Sequence, residues 1–199
     1  EQYNGKIIKV GNTIVDSIKM CLDLAKKTKT KPAQGYVVVN VHRHENIKSP
    51  ERLGKIVQII EDVSAPIIWP VHDNTKQQLK KSNLWPRLQN KNITFGPLLP
   101  YTKFIWLLAN CKYIITDGGS IQEESLALKK PCILLRKKTE RVEGLTTGLN
   151  FLTGLDADKA KSAIRAAEKD VNLAQFKNPY GDGHSAERIV DYLTKGQNE

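Results

Sequence analysis

The chain has 199 residues, 40% hydrophobic and 26% charged, with 31 basic against 21 acidic residues and a net charge of +10. That content fits one globular domain and excludes a disordered chain; no apolar run approaches the ~20 residues of a membrane span, and no signal peptide is recognisable. The lysines fall in separate clusters at predicted helix ends and loops without interleaved aromatics, so we expect a solvated basic surface that favours small anions, with no nucleic-acid partner.

The chain opens on Glu1-Gln2-Tyr3-Asn4 without an initiator methionine, which leads us to expect a boundary inside a longer protein. Asn12 is a good N-cap for a first helix, in which Ile14, Ile18, Leu22 and Ala25 recur at helical spacing. That helix dissolves into Lys26-Lys27-Thr28-Lys29-Thr30-Lys31 before Pro32. Residues 36–40 follow as an apolar run without alternation, the pattern of a strand buried on both faces. Ser49-Pro50-Glu51 starts a second helix with proline in its first turn, and Leu53, Ile56, Val57 and Ile60 form its apolar stripe. Beyond it we expect strands at 67–70, 92–95, 113–116 and 132–135, and helices at 74–79, 101–109, 121–128, 158–169 and 185–193.

Short buried strands alternating with amphipathic helices predict right-handed βαβ units on a mostly parallel sheet, an α/β Rossmann-like domain of three layers. Ligands of such sheets bind beyond the carboxyl ends of the strands. The three cysteines, Cys21, Cys111 and Cys132, lie among apolar residues without metal-ligand spacing. We read them as core residues of a protein in a reducing, cytoplasmic compartment.

Four strand ends carry unusual polar residues. After the strand at 113–116 come Thr116-Asp117-Gly118-Gly119-Ser120-Ile121-Gln122-Glu123-Glu124. Two glycines and a hydroxyl at a helix start leave backbone N–H groups for an anion, and glycine lets a phosphate approach closely. Glu124, one turn in, lies on roughly the same face as Ser120 and could accept the hydroxyls of a ribose. Asn40-Val41-His42-Arg43-His44-Glu45-Asn46 leaves the strand at 36–40 with groups suited to a diphosphate. A metal held by His42 and His44 is the rival there, although no third ligand has a recognisable spacing. His72 follows the strand at 67–70, and Thr139-Glu140-Arg141 follows the strand at 132–135.

Taken in order, His42-Arg43-His44-Glu45-Asn46, Pro70-Val71-His72, Thr116 to Glu124, Lys130-Pro131, Thr139-Glu140-Arg141 and Asn178-Pro179-Tyr180-Gly181-Asp182-Gly183 resemble the non-hydrolysing UDP-N-acetylglucosamine 2-epimerases. Gly11-Asn12-Thr13 resembles the start of that family's C-terminal domain, so the likeness spans nearly the whole chain. The family pairs two Rossmann-like domains across a cleft, the GT-B arrangement. The resemblance implies that residues 1–199 are one UDP-binding domain, the C-terminal half of a cytoplasmic homodimeric enzyme whose own N-terminal domain faces it. It implies a UDP-sugar substrate, no cofactor and no metal.

By motif match, Gly118, Gly119 and Ser120 hold the diphosphate, Glu124 the ribose, Arg141 the nucleotide, and Phe104 lies near the uracil. His42 matches the catalytic histidine that helps UDP leave. Arg43 and His72 match a second, allosteric UDP-sugar site, and Glu45, Asp117 and Glu123 stand separately as supporting residues. Two departures stand out. Gly118-Gly119-Ser120 replaces the commoner Ser-Gly-Gly, and His44 stands where many members carry arginine. The stretch from Arg43 to Ile47 leans towards relatives acting on modified sugars. The donor-binding half of a GT-B UDP-sugar glycosyltransferase is the alternative. Alone, the chain is expected to bind UDP weakly and to lack activity.

Overall fold

The computed structural model describes residues 5–26, 35–89, 91–169, 173 and 176–195. The opening residues 1–4, Pro32 and most of the first lysine cluster, residues 27–31, lie outside the described residues. Among the described residues six strands form one parallel sheet: β1 (Val37–Asn40), β2 (Ile67–Pro70), β3 (Ile93–Gly96), β4 (Ile114–Thr116), β5 (Cys132–Leu134) and β6 (Asn150–Leu152). Their order is β3-β2-β1-β4-β5-β6, and every neighbouring pair is parallel.

Strand residues alternate between two apolar layers because successive side chains leave opposite faces. Val37 and Val39 join a cluster with Leu53, Ile56 and Ile60 of α3 (Pro50–Glu61) and Ala160 and Ile164 of α8 (Ala157–Ala167). Val38, Ile114, Cys132 and Leu134 face the other way, onto Ile18 and Cys21 of α1 (Thr13–Lys26) and Ile105 and Leu108 of α6 (Tyr101–Ala109). The missing alternation in the strands therefore reflects burial on both sides. All three cysteines are free and buried.

The predicted boundaries hold to within a few residues. Asn12 caps α1 through its side chain, which accepts the Ile14 N–H at 3.0 Å. Ser49 caps α3 by accepting the Arg52 N–H at 3.3 Å. The helix expected at 74–79 extends as α4 (Asp73–Lys81). The remaining helices are α7 (Ile121–Ala127) and α9 (Ser185–Lys195).

Four short elements were not foreseen: α2 (His44–Ile47), α5 (Trp85–Gln89), a 3-10 turn at Val142–Thr147, and β6. One-turn helices are too brief to express a helical period. The three-residue β6 starts on a polar residue, Asn150, which is buried because Ser125 and the Gln122 carbonyl satisfy its amide. Among the described residues no helix is long and apolar enough to cross a membrane.

Candidate functional site

The chain runs outward from β1 to β3 on one side of the sheet and from β4 to β6 on the other. The order reverses between β1 and β4, and the two loops leaving their carboxyl ends diverge to open a crevice there. The fully buried Asp117 ties these loops together. Its carboxylate accepts the backbone N–H groups of His42 and Arg43, each at 3.0 Å, and the Asn46 side-chain amide at 2.8 Å. Asn46 in turn accepts Arg52 Nε and Nη2 at 3.1 and 2.8 Å. A buried carboxylate needs such donors; here they fix the histidine-bearing loop.

His42 is brought to the glycine loop: a Cβ on Gly118 would lie 3.5 Å from its Cε1. Its Nδ1 lies 3.0 Å from Asn40 Oδ1 and 3.7 Å from Asp117 Oδ1. The His72 ring stacks on it, with centroids 4.8 Å apart. Burial, followed by the neighbouring His42, lowers the pKa of His72, while Asp117 and Asp73 pull it upward.

The turn at 117–120 departs partly from expectation. The Gly118 N–H is taken by Thr116 Oγ1 at 2.9 Å. Among the described residues no acceptor takes the N–H groups of Gly119 and Ser120. Ser120 is already helical and its hydroxyl makes no cap bond but lies beside the Glu124 carboxyl, so Gly119 and Ser120 present both N–H groups. One turn further, Glu124 is 3% exposed. Its Oε1 accepts the Tyr101 hydroxyl at 3.2 Å, and Oε2 is buried with no partner. Burial pushes this carboxyl up to about 7; the Tyr101 and Ser120 hydroxyls oppose the rise, and the Glu123 charge adds to it. Tyr101 and Phe104, on α6, line a small cleft of about 220 Å³ with Asn40, Pro70, His72 and Leu99.

Arg141 reaches the same turn from beyond β5. A Cβ on Gly119 would lie 3.4 Å from its Nη1. Glu123 and Glu140 hold the guanidinium, and Glu140 is itself held by Arg136 at 2.8 Å. Asn12 donates to Glu123 Oε1 at 3.1 Å. Gln122 links the segment to α7, accepting the Thr139 hydroxyl at 2.6 Å and donating to the Gly118 carbonyl at 3.1 Å.

His42 thus meets Gly118 and His72, Arg141 meets Gly119 and Glu123, Ser120 and Glu124 share the start of α7, and Phe104 shares the small cleft with His72. Arg43 does not share the cleft of His72. It lies 3.6 Å from Glu45 and lines a separate opening with Arg52, Arg136, Lys137 and Lys138. A larger groove of about 840 Å³ lies between α3 and α8, away from the glycine turn. Among its basic residues Lys55 is paired with Glu51 and Arg136 with Glu140. Among the described residues no group of three or more His, Cys, Asp or Glu could hold a metal.

The sequence reading gave no role to Tyr101, and it placed Asn40 in the motif without a function. Tyr101 lies 23 residues from its partner Glu124, and no local motif signals that meeting. Asn40 was detectable in principle, as an amide ending an otherwise all-valine strand.

The model of the family described as UDP-N-acetylglucosamine 2-epimerase matches residues 1–194. The UDP-N-acetylglucosamine 2-epimerase of Methanocaldococcus jannaschii is 40% identical over 206 residues, covering 96% of this chain and 56% of its own. The UDP-2,3-diacetamido-2,3-dideoxy-D-glucuronate 2-epimerase of Pseudomonas aeruginosa is 30% identical over 199 residues, covering 98% and 54%. The crystal structure of the M. jannaschii enzyme in complex with UDP-GlcNAc and UDP superposes with a TM-score of 0.85 at 38% identity, covering 97% of this chain and 56% of that one. The chain spans about half the length of the curated relatives it matches.

Proposed function

The chain belongs to the UDP-N-acetylglucosamine 2-epimerase family, and from that premise we propose that it supplies the UDP site of a non-hydrolysing 2-epimerase. The observation that carries this reading is Glu124, a buried carboxylate with one oxygen unpartnered, one turn below an open glycine turn. A ribose diol can donate to that oxygen while the diphosphate meets the N–H groups of Gly119 and Ser120, the Ser120 hydroxyl and Arg141. The uracil then reaches towards Phe104. Gly118 lets His42 approach the diphosphate.

The reaction inverts C2 of a UDP-N-acetylhexosamine. A base removes the C2 proton as the C1–O bond breaks, and the bonding pair leaves with UDP to give a 2-acetamidoglucal. UDP then adds back to C1, and C2 is protonated from the opposite face. His42 gives a proton to the departing phosphate oxygen and takes it back on re-addition. Backbone N–H groups and Arg141 stabilise the charge that develops on UDP.

On this reading residues 1–199 form one UDP-binding domain of a GT-B enzyme. Carboxylates of a facing N-terminal domain move the C2 proton, the whole protein is a cytoplasmic homodimer, and a second UDP-sugar bridges the separate openings lined by Arg43 and His72. A second reading keeps the mechanism and changes the sugar: the 30% identity to a diacetamido-glucuronate epimerase supports a modified UDP-HexNAc.

Calorimetric titration with UDP, and with ADP as control, tests the proposal. UDP binding in the intact protein with little ADP binding is the expected result. Equal binding of both, or of neither at millimolar ligand, would overturn it. Turnover of UDP-N-acetylglucosamine against its diacetamido-uronate analogue then separates the two sugars.

A further inference from the structure

We propose that Asn40 is a positioning residue that sets the tautomer of His42; this rests on the epimerase reading only for its consequence in turnover. Asn40 ends β1 with a side chain only 6% exposed, and its Oδ1 lies 3.0 Å from His42 Nδ1. Asp117 Oδ1 lies 3.7 Å from the same nitrogen. Both are acceptors, so this edge of the imidazole carries the proton. A neutral histidine with Nδ1 protonated has its lone pair on Nε2.

The rest of the ring's placement makes that choice matter. Asp117 pins the backbone N–H of His42, and His72 stacks on the ring face. Position and plane are thereby fixed, Cε1, the carbon between the two ring nitrogens, faces Gly118, and with Nδ1 on Asn40 the free nitrogen beside it is Nε2. The hydrogen bond to Asn40 decides which nitrogen meets a ligand at the glycine turn. With Nδ1–H held on Asn40, the imidazolium gives its Nε2 proton to the departing phosphate oxygen, and the neutral ring that remains has its lone pair on Nε2 to take the proton back; with the tautomers reversed, the neutral ring would keep Nε2–H and could not. Asn40 also lines the small cleft beside Phe104 and Tyr101. One side chain therefore spans the two parts of the site.

The test uses the intact protein with nitrogen-15 in its histidines, and long-range proton–nitrogen spectra to read each imidazole. Wild type is expected to show His42 protonated at Nδ1. Asn40→Leu, similar in size but without an acceptor, is expected to shift His42 towards the Nε2–H form. It should also lower kcat by roughly 10- to 100-fold with KM little changed. Asn40→Asp keeps an acceptor and should keep the Nδ1–H tautomer. A wild-type His42 protonated at Nε2, or an Asn40→Leu protein with an unchanged tautomer, would overturn the proposal. If Asn40→Leu does not fold, the wild-type and Asn40→Asp spectra still decide. A changed tautomer with unchanged kcat would uphold the role of Asn40 and count instead against His42 in the reaction.

Discussion

Glu124 and Tyr101 share a single hydrogen bond of 3.2 Å, and that bond leaves the second oxygen of a buried carboxylate without a donor. The arrangement is costly to the free protein and useful to a ligand. A nucleotide able to supply a hydroxyl donor relieves the cost, so part of its affinity comes from repairing a deficit built into the fold.

Burial raises the Glu124 carboxyl to about 7 from an ordinary 4.5. The folded chain then holds a proton that the unfolded chain releases first. The associated stability is complete below pH 4.5 and is lost as pH rises through 7, by about 3 kcal/mol. Glu124→Gln should therefore match wild type in thermal unfolding near pH 4.5 and exceed it near pH 8. Equal midpoints at both pH values would contradict the burial assigned to this group.

The same residue should show the opposite effect on binding. Glu124→Ala should weaken UDP by about 1.5–3 kcal/mol, the usual worth of a hydrogen bond to a charged group. Tyr101→Phe should cost less, because it removes a partner of the carboxylate and leaves the carboxylate in place. Titration calorimetry on the three proteins checks the order.

Asp117 accepts three donors from the His42 loop, and no neutral side chain replaces it. Asp117→Asn puts an NH₂ group where at least one N–H donor already points. We expect a loss of about 2–4 kcal/mol in urea unfolding, from broken charged hydrogen bonds and stranded donors. Replacement without measurable loss would mean that the loop is held elsewhere.

His42→Ala should lower turnover of the intact protein by roughly 10²–10⁴ and largely spare UDP affinity. The contrast with Glu124→Ala separates proton transfer from binding. Steady-state rates and titrations on both proteins provide the comparison.

Two glycines distinguish a ligand surface from a packing contact. A Cβ on Gly119 meets Arg141 and Glu140 atoms at 3.4–3.6 Å, ordinary contact distances, whereas one on Gly144 meets Asn150 Nδ2 at 2.7 Å and Leu126 Cδ1 at 3.0 Å. Gly119→Ala should keep the fold and weaken UDP about tenfold or more by filling the phosphate approach. Gly144→Ala should lower the unfolding temperature, at a cost of about 1–3 kcal/mol. Thermal unfolding with and without UDP reads both effects.

The doubly covered sheet was legible because Tyr36 to Val39 and Cys132 to Leu135 are apolar without interruption. The positions of His42, His72, Gly119 and Arg141 at strand ends followed from that sheet. What escaped were relations that exist only once distant segments meet. Asp117 reads as one more polar residue in a turn until His42, Arg43 and Asn46 arrive around it. The separation of Arg43 from His72 depends on a one-turn helix, α2, too short to leave a period. The role of Tyr101 likewise depends on the Glu124 that α7 brings beside it, whereas Asn40 meets His42 only two residues on.

The bonds from His42 and Arg43 to Asp117 join residues 75 and 74 apart in sequence. Closing so long a span costs chain entropy that local contacts cannot offset, so these bonds form only when the two wings of the sheet have joined. The backbone amides of His42 and Arg43, although in a loop, should therefore be as slow to exchange hydrogen with water as the sheet itself. A partly folded form without these bonds would lack the crevice, so a loss of global stability should appear directly as a loss of ligand-competent molecules.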